Sequence, residues 1–216
     1  MAVVFFARIS YNKNNDKSLE NERAEDMRDT NEKAVQAMRA FLEAVGLNLK
    51  EQGMEQTPKR VAALYEELFD GVGRNPEEIW RERFASDTKG IVAVTHIPFH
   101  SICEHHLLPF FGEVHLAYLP HDGQVAGFGK FVKLVECLAH RPQLQERLTM
   151  QIASAIEKGL DAEGVLVVIE AQQLCMTMRD PRAHGTQTIT SECRGVFRDE
   201  ASLCQQAWLL LGGKRE

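Results

Sequence analysis

The sequence predicts an α+β domain, because segments with helical periodicity and segments with strand-like composition share one chain. Residues 29–85 show apolar residues at helical spacing. From residue 86 onward, β-branched segments of strand length are separated by further amphipathic segments. The apolar fraction, 44% of 216 residues, suits one domain of ordinary size.

Helix signals dominate residues 29–85. Asp29 and Glu32 resemble a capping box, and the apolar residues after them recur at helical spacing up to Gly46, namely Val35, Met38, Leu42 and Val45. Thr57 followed by Pro58 predicts the start of a second helix. The segment NPEEIWRERF predicts a short third helix.

Residues 86–216 carry the strand signals. Strands are predicted at 90–99, 112–120, 164–171 and 186–197, and further helices at 130–139, 145–159 and 201–211. The segment HDGQ predicts a hairpin-type turn.

Charge and the N-terminal sequence restrict the class of partner. The chain has 31 acidic against 25 basic residues, so we expect no nucleic-acid partner. Residues 1–28 are largely polar and predict a mobile arm. MAVVFFARIS lacks the features of a signal peptide or a membrane span, so we expect a cytoplasmic chain without a membrane segment.

One short segment, SICEHHLLP, concentrates metal-ligand side chains. Cys103 and His106 have C-x-x-H spacing, which suits Zn²⁺, although a buried cysteine beside surface histidines is the alternative. No second local pair is present, so a site with three protein ligands and one open position is favoured. Spacing leaves the third ligand open between Cys175, in the strand-like EAQQLCMTM, and Cys193. The odd number of cysteines, five, argues against a disulfide framework.

Several blocks in order resemble the GTP cyclohydrolase I family. They are SICEHHLLPF, the Gly129–Lys133 segment, RPQLQERLTMQIA, VVIEAQQLCMTMRD and TQTITSECRGVF, and the resemblance runs from the TPKRVA segment to the C-terminus. It implies a tunnelling fold (T-fold), in which antiparallel sheets with packed helices close into an oligomeric barrel, usually a homodecamer. A nitrile reductase on the same fold is a distant alternative, which would need a nucleophilic cysteine and an NADPH site.

The resemblance implies a zinc site and a reaction. Its ligands are Cys103, His106 and Cys175, and His105 is the acid/base histidine. The implied reaction is hydrolytic: water attacks C8 of the guanine in GTP, the imidazole ring opens, formate leaves, and 7,8-dihydroneopterin triphosphate forms.

Substrate-binding positions also follow from the resemblance. Glu146 matches the guanine-binding carboxylate, with Gln145 beside it. Cations for the triphosphate are implied at Lys130, Lys133, Arg179 and, from an adjoining subunit, Arg60, with Arg147 a weaker match.

Five positions depart from the family pattern. Gln173 stands where the family has its second proton-transferring histidine, and glutamine cannot transfer a proton near neutral pH. Gly129 replaces a serine of the family pattern, Lys133 replaces an arginine, and Asp180 with Pro181 replaces a glycine-led turn. Three outcomes remain open: the full reaction, a variant that stops at a ring-opened formamidopyrimidine or uses a related purine nucleotide, and an impaired zinc-stabilised binding or assembly subunit.

Overall fold

The computed structural model describes residues 31–87 and 89–212. The predicted arm, residues 1–28, and the predicted cap at Asp29 lie outside the described residues. The chain divides into two compact units between Glu67 and Leu68. The predicted division of one domain into a helical part, 29–85, and a T-fold part, 86–216, stays a prediction.

Two helices lie in the described residues of the first unit, 31–67. Helix α1 (Glu32–Ala44) begins after Asn31, whose side chain accepts a hydrogen bond from the Lys33 backbone N–H. After this helix Gly46 adopts φ = 93°, a left-handed conformation that glycine tolerates, so the predicted stop is confirmed. Helix α2 spans Thr57–Leu68, as the Thr-Pro start predicts, and its last residue lies in the second unit.

The second unit is built around a five-stranded sheet. The strands of the second unit, in chain order, are β1 (Phe84–Ala85), β2 (Val92–Cys103), β3 (Pro109–Leu119), β4 (Gln124–Val125), β5 (Pro142–Gln143), β6 (Gly164–Gln173) and β7 (Thr188–Gly195). Its helices are α3 (Gly129–Ala139), α4 (Gln145–Leu160), α5 (Leu174–Thr177), α6 (Val196–Asp199) and α7 (Ala201–Leu210). The sheet order is β5-β2-β3-β6-β7, and β1 pairs with β4 in a separate two-stranded sheet.

The long strands are antiparallel to their neighbours, and only the short β5 runs parallel to β2. Residues 165–169 of β6 are all buried, because both faces of this strand are covered. Val165, Val167 and Ile169 pack in the larger core with α3 and α4, whereas Leu166 and Val168 pack with Phe197 and Ala207. This explains why the segment is a continuous apolar run rather than an alternating one.

The structure confirms the predicted α+β class, with an antiparallel-rich sheet and packed helices. Three local predictions differ. NPEEIWRERF forms a 3₁₀ helix only over Pro76–Arg81 and then enters β1. HDGQ turns through a 3₁₀ segment, His121–Gly123, into β4, which pairs with β1 instead of forming a hairpin with β3. Cys175 lies in helix α5, because β6 ends two residues earlier.

Among the described residues, no helix combines the length and the apolar character that crossing a bilayer requires.

Candidate active site

Two of the predicted metal ligands lie in the turn that joins β2 to β3. Strand β2 ends at Cys103, whose backbone N–H donates to the Leu108 carbonyl at 2.9 Å and whose carbonyl accepts from the Leu107 N–H at 2.9 Å. Leu107 has φ = 52°, a left-handed conformation that is uncommon for a branched side chain. These bonds close the turn and bring His106 back towards Cys103.

The third predicted ligand reaches the same turn through strand pairing. Phe110, at the start of β3, is in register with Gln173, at the end of β6. Helix α5 begins at the next residue and carries Cys175. The ligand atoms of Cys103, His106 and Cys175 therefore lie within 4.8 Å of one another, and we call these three residues the metal cluster.

The chemistry of the metal cluster fits zinc. Two sulfur atoms and one imidazole nitrogen form the mixed donor set that Zn²⁺ accepts, and three protein ligands leave the fourth position of a tetrahedral zinc ion to a non-protein ligand. Burial raises the pKa of the Cys175 thiol, and the neighbouring Cys103 sulfur raises it further, while Arg179 opposes the rise. A bound cation offsets both effects, because it stabilises the thiolate form of each sulfur.

Arg179 also lies at the metal cluster. Its Nη1 atom is 2.8 Å from His106 Nε2. A guanidinium only donates hydrogen bonds, so His106 Nε2 is the acceptor and carries a lone pair. The guanidinium occupies the lone pair that a metal ion would use, so an ion bound at His106 Nε2 would displace Arg179 from this nitrogen.

An ion pair ties the turn to the helix behind it. Arg147 of α4 donates from Nη1 and Nη2 to the two carboxylate oxygens of Glu104, at 2.5 and 2.9 Å. These hydrogen bonds lower the pKa of the Glu104 carboxyl below its ordinary value. His105, the next residue, is exposed, and its ring lies 6.3 Å from that of His106 in an edge-to-face arrangement. The ion pair therefore anchors Glu104, the residue before the predicted acid/base histidine, to α4.

A buried amide network lies beside Cys175. The side-chain nitrogen of Gln145 donates to the Ile169 and Thr188 carbonyls, each at 3.1 Å. Its oxygen accepts from Gln173 Nε2 at 2.7 Å and from the Thr188 hydroxyl at 2.7 Å. Gln173 Oε1 then lies 3.9 Å from Cys175 Sγ, where the thiol donates a weak hydrogen bond.

Comparison with known proteins identifies the family to which this chain belongs. Residues 34–211 match the family described as GTP cyclohydrolase I. The GTP cyclohydrolase 1 of Bacillus subtilis is 47% identical over 177 residues, which cover 82% of this chain and 93% of that protein. The chain belongs to the GTP cyclohydrolase I family.

Other relatives in this family are equally similar. The GTP cyclohydrolase 1 of Pelotomaculum thermopropionicum is 47% identical over 84% of this chain and 97% of its own length. That of Carboxydothermus hydrogenoformans is 48% identical over 84% of this chain and 94% of its own. A solved structure, the archaeosine synthase QueF-Like in the apo form, matches with a TM-score of 0.41 and 17% identity over 50% of this chain and 97% of that chain. This last likeness is too distant to bear on fold or function.

The remaining residues predicted from the family resemblance lie on three helices. Glu146 is exposed in the first turn of α4, whereas Gln145 is only 4% exposed and its side chain is engaged in the amide network. Lys130 of α3 donates to the Ile79 carbonyl at 3.0 Å, and Lys133 is exposed on the same helix. Arg60 is exposed on α2, in the first unit. Within residues 31–87 and 89–212, no hydrogen bond or ion pair joins Lys130 or Lys133 to the metal cluster.

Sequence reasoning missed three polar residues of the ion pair and the amide network. Glu104 was not singled out, because its partner Arg147 is 43 positions away in the chain. Thr188 and Thr190 were not singled out either, although their alternation in TQTIT places both side chains on one face of a strand. That alternation was the available signal for a polar network on the face that meets Gln145.

A second histidine and carboxylate group lies elsewhere on the sheet. His96, Glu113 and His115 bring their ligand atoms within 4.8 Å of one another, beside a bulge in β2. The His96 backbone N–H donates to His115 Nδ1 at 3.4 Å, so a neutral His115 ring carries its proton on Nε2. His96 Nδ1 lies 2.7 Å from Glu113.

Proposed function

We propose that this chain is a zinc-dependent GTP cyclohydrolase that opens the imidazole ring of GTP, releases C8 as formate and forms 7,8-dihydroneopterin triphosphate. Membership of the family supports the reaction. The observation that carries the proposal is the convergence of Cys103, His106 and Cys175, from two separate parts of the chain, within 4.8 Å. A protein that only binds a nucleotide has no need of such a three-ligand site with an open position.

Zinc is the cofactor that the proposal assigns to the metal cluster. Two thiolates and one imidazole would hold it, and Zn²⁺ bound by three protein ligands lowers the pKa of a coordinated water towards neutrality. The turn that carries Cys103 and His106 is closed by its own backbone hydrogen bonds, so these two ligands need little reorganisation.

His105 and Glu146 have the chemistry that the reaction needs from side chains. His105 is exposed next to a ligand, where an imidazole can give a proton to a purine nitrogen and take it back. Glu146 is exposed in the first turn of α4, where its carboxylate can accept from guanine N1–H and the exocyclic amine. The Glu104–Arg147 ion pair joins the segments that carry these two residues, which favours a fixed distance between them.

The triphosphate requires several cations in an acidic chain. The proposal assigns this role to Arg179, Lys130 and Lys133, with Arg60 donated by an adjoining subunit of a homo-oligomer, a decamer by resemblance. Arg179 lies against His106, so it can contact the phosphates of a nucleotide whose base lies near the metal cluster.

Gln173 is the reason for a second candidate function. The family resemblance places a proton-transferring histidine at this position, and a glutamine amide cannot replace it in that role. Loss of one general acid or base typically costs about 10²–10⁴-fold in rate. The second candidate is therefore a reaction that stops at the ring-opened formamidopyrimidine nucleotide, before formate leaves.

One experiment separates these functions. Zinc-loaded protein is incubated with GTP, formate is quantified, and pterin is detected by fluorescence after oxidation, in parallel with Gln173→His. Formate together with pterin supports the full reaction, and we expect Gln173→His to accelerate it. A ring-opened product without formate supports the early stop. Neither product from either protein contradicts both reactions and favours a binding or assembly subunit.

A further inference from the structure

The orientation of the Gln173 amide follows from neighbouring atoms that can only accept hydrogen bonds. Two backbone carbonyls, those of Ile169 and Thr188, face one end of the Gln145 side chain at 3.1 Å. A carbonyl oxygen only accepts, so this end of Gln145 must be its NH₂ group. The opposite end is then the Gln145 carbonyl oxygen, which needs donors.

Gln173 supplies one of these donors. The Thr188 hydroxyl, the other candidate, has one proton, which it shares between Gln145 Oε1 at 2.7 Å and the Ala171 carbonyl at 3.1 Å. Gln173 must therefore present its NH₂ group to Gln145, at 2.7 Å. Its own carbonyl oxygen is left facing Cys175 Sγ, 3.9 Å away.

We propose that Gln145 is a positioning residue, which holds Gln173 so that an amide oxygen, a hydrogen-bond acceptor, permanently faces the metal cluster. The inference rests on the proposed function, since it concerns how position 173 contributes to that reaction. The acceptor can hold a water or a substrate N–H or O–H group in place, but it cannot remove the proton. Gln145 acts through Gln173, because its own side chain is buried and engaged at both ends.

The alternative role for Gln145 is purely structural. Its amide joins the start of α4 to β6 and β7, so its loss destabilises the fold in either case. The two roles differ in what they predict for Gln173. A positioning role makes the effects of changing Gln145 and Gln173 on catalysis overlap, whereas a structural role makes them independent.

A double-mutant cycle tests this. Gln145→Met and Gln173→Met are each expected to lower kcat for pterin formation by about tenfold, the value of one net hydrogen bond. The KM for GTP should stay within about twofold, and the double variant should be no slower than either single variant. The matched control is Gln151→Met on the same helix, which removes the acceptor of a 2.8 Å hydrogen bond from Gln143 Nε2 and leaves Gln145 and Gln173 unchanged. It should keep the wild-type kcat.

A second variant and a structural readout protect the test against misfolding. Gln173→Leu removes both the donor to Gln145 and the acceptor that faces Cys175, and it adds no group that can transfer a proton, so we expect at least the same loss of kcat. Crystal structures of the proteins should show one Gln173 conformation in the wild type and in Gln151→Met, and several conformations in Gln145→Met.

The outcomes that overturn the inference are distinct from failure of the proposed function. Losses that multiply in the double variant, wild-type rates in Gln173→Leu, or an ordered Gln173 in Gln145→Met would each overturn it. A wild-type protein that forms neither formate nor pterin would overturn the proposed function, while the crystallographic comparison would still decide whether Gln145 orients Gln173.

Discussion

Arg147 and Glu104 form a two-point ion pair that joins the first turn of α4 to the turn between Cys103 and His106. Each partner is about one third exposed, so the pair adds little to folding stability. Its two parallel hydrogen bonds instead fix the relative orientation of the two side chains, because a guanidinium and a carboxylate match in one planar arrangement.

Removing this ion pair should impair catalysis more than stability. We expect Arg147→Met to lower kcat by about 10–100-fold, because His105 loses its fixed position relative to α4. Arg147→Lys should recover only part of the loss, since an ammonium cannot make the two-point contact. Steady-state kinetics with zinc analysis checks both variants.

The control for the ion pair is Arg198→Met, which breaks an exposed contact with Asp199 outside the site. This variant should keep the wild-type kcat. An Arg147→Met protein that retains wild-type kcat, or one that loses its zinc, would contradict the positioning role.

Zinc binding should depend on Cys175 and not on every buried cysteine. Cys175→Ser is expected to reduce bound zinc from about one ion per chain to a small fraction, because serine is a poor ligand for this borderline-soft ion. Pterin formation should fall with it. Cys137→Ala is the matched control, since Cys137 is buried on α3 and belongs to no metal group among the described residues. Elemental analysis of both proteins decides the matter, and full zinc occupancy in Cys175→Ser would remove Cys175 from the ligand set.

How much of the site the sequence predicts depends on how its parts are brought together. Cys103 and His106 are close because of local spacing, so the motif itself predicts two of the three residues of the metal cluster. Cys175 joins them through the pairing of Phe110 with Gln173, a long-range register that periodicity does not reveal. Spacing therefore left Cys175 and Cys193 equal, and the family resemblance made the choice.

Side-chain networks were the least predictable feature. Gln145 was interpreted as part of a recognition segment, yet it is 4% exposed and bonded at both ends. Nothing in the local pattern QLQERL distinguishes a buried amide at the first helical position from an exposed one. Strand assignments were accurate where burial is continuous, as in β6, and failed at Cys175, where the chain leaves the sheet for a helical turn.

Gly112 should be intolerant of any side chain. It lies in β3 opposite Ala171, and a Cβ at this position would overlap the Glu170 carbonyl oxygen and Ala171 Cα. Both neighbours are backbone atoms, so the strands must separate near the end of β6. We expect Gly112→Ala to lower the free energy of unfolding by about 2–3 kcal/mol or more.

The control for Gly112 is Gly129→Ala on α3, where an added Cβ meets no atom within 4 Å. Denaturant unfolding of the two variants gives the comparison. Equal stability of Gly112→Ala and the wild type would mean that β3 and β6 are further apart than described.

The thiol of Cys193 should make folding stability sensitive to alkaline pH. Burial, together with the Cys204 sulfur 3.4 Å away and the charge of Glu192, raises the pKa of Cys193 to about 12. Between pH 9 and 12 the unfolded chain therefore releases this proton while the folded chain keeps it. The unfolded state binds fewer protons in that range, so stability is fully present below pH 9 and declines as the pH rises towards 12.

The decline can be measured against a variant that lacks the thiol. Each pH unit above 9 removes at most about 1.4 kcal/mol, which corresponds to a fall of about 3–6 °C in Tm for a domain of this size. Partial exposure reduces this further. Both variants keep the other groups that titrate at alkaline pH. Cys193→Ala should lose this part of the decline because it lacks the Cys193 thiol, whereas Cys137→Ala should retain it because it keeps that thiol. Parallel Tm profiles for Cys193→Ala and the wild type between pH 8 and 10 would show that the folded protein does not hold the Cys193 proton more tightly than the unfolded chain.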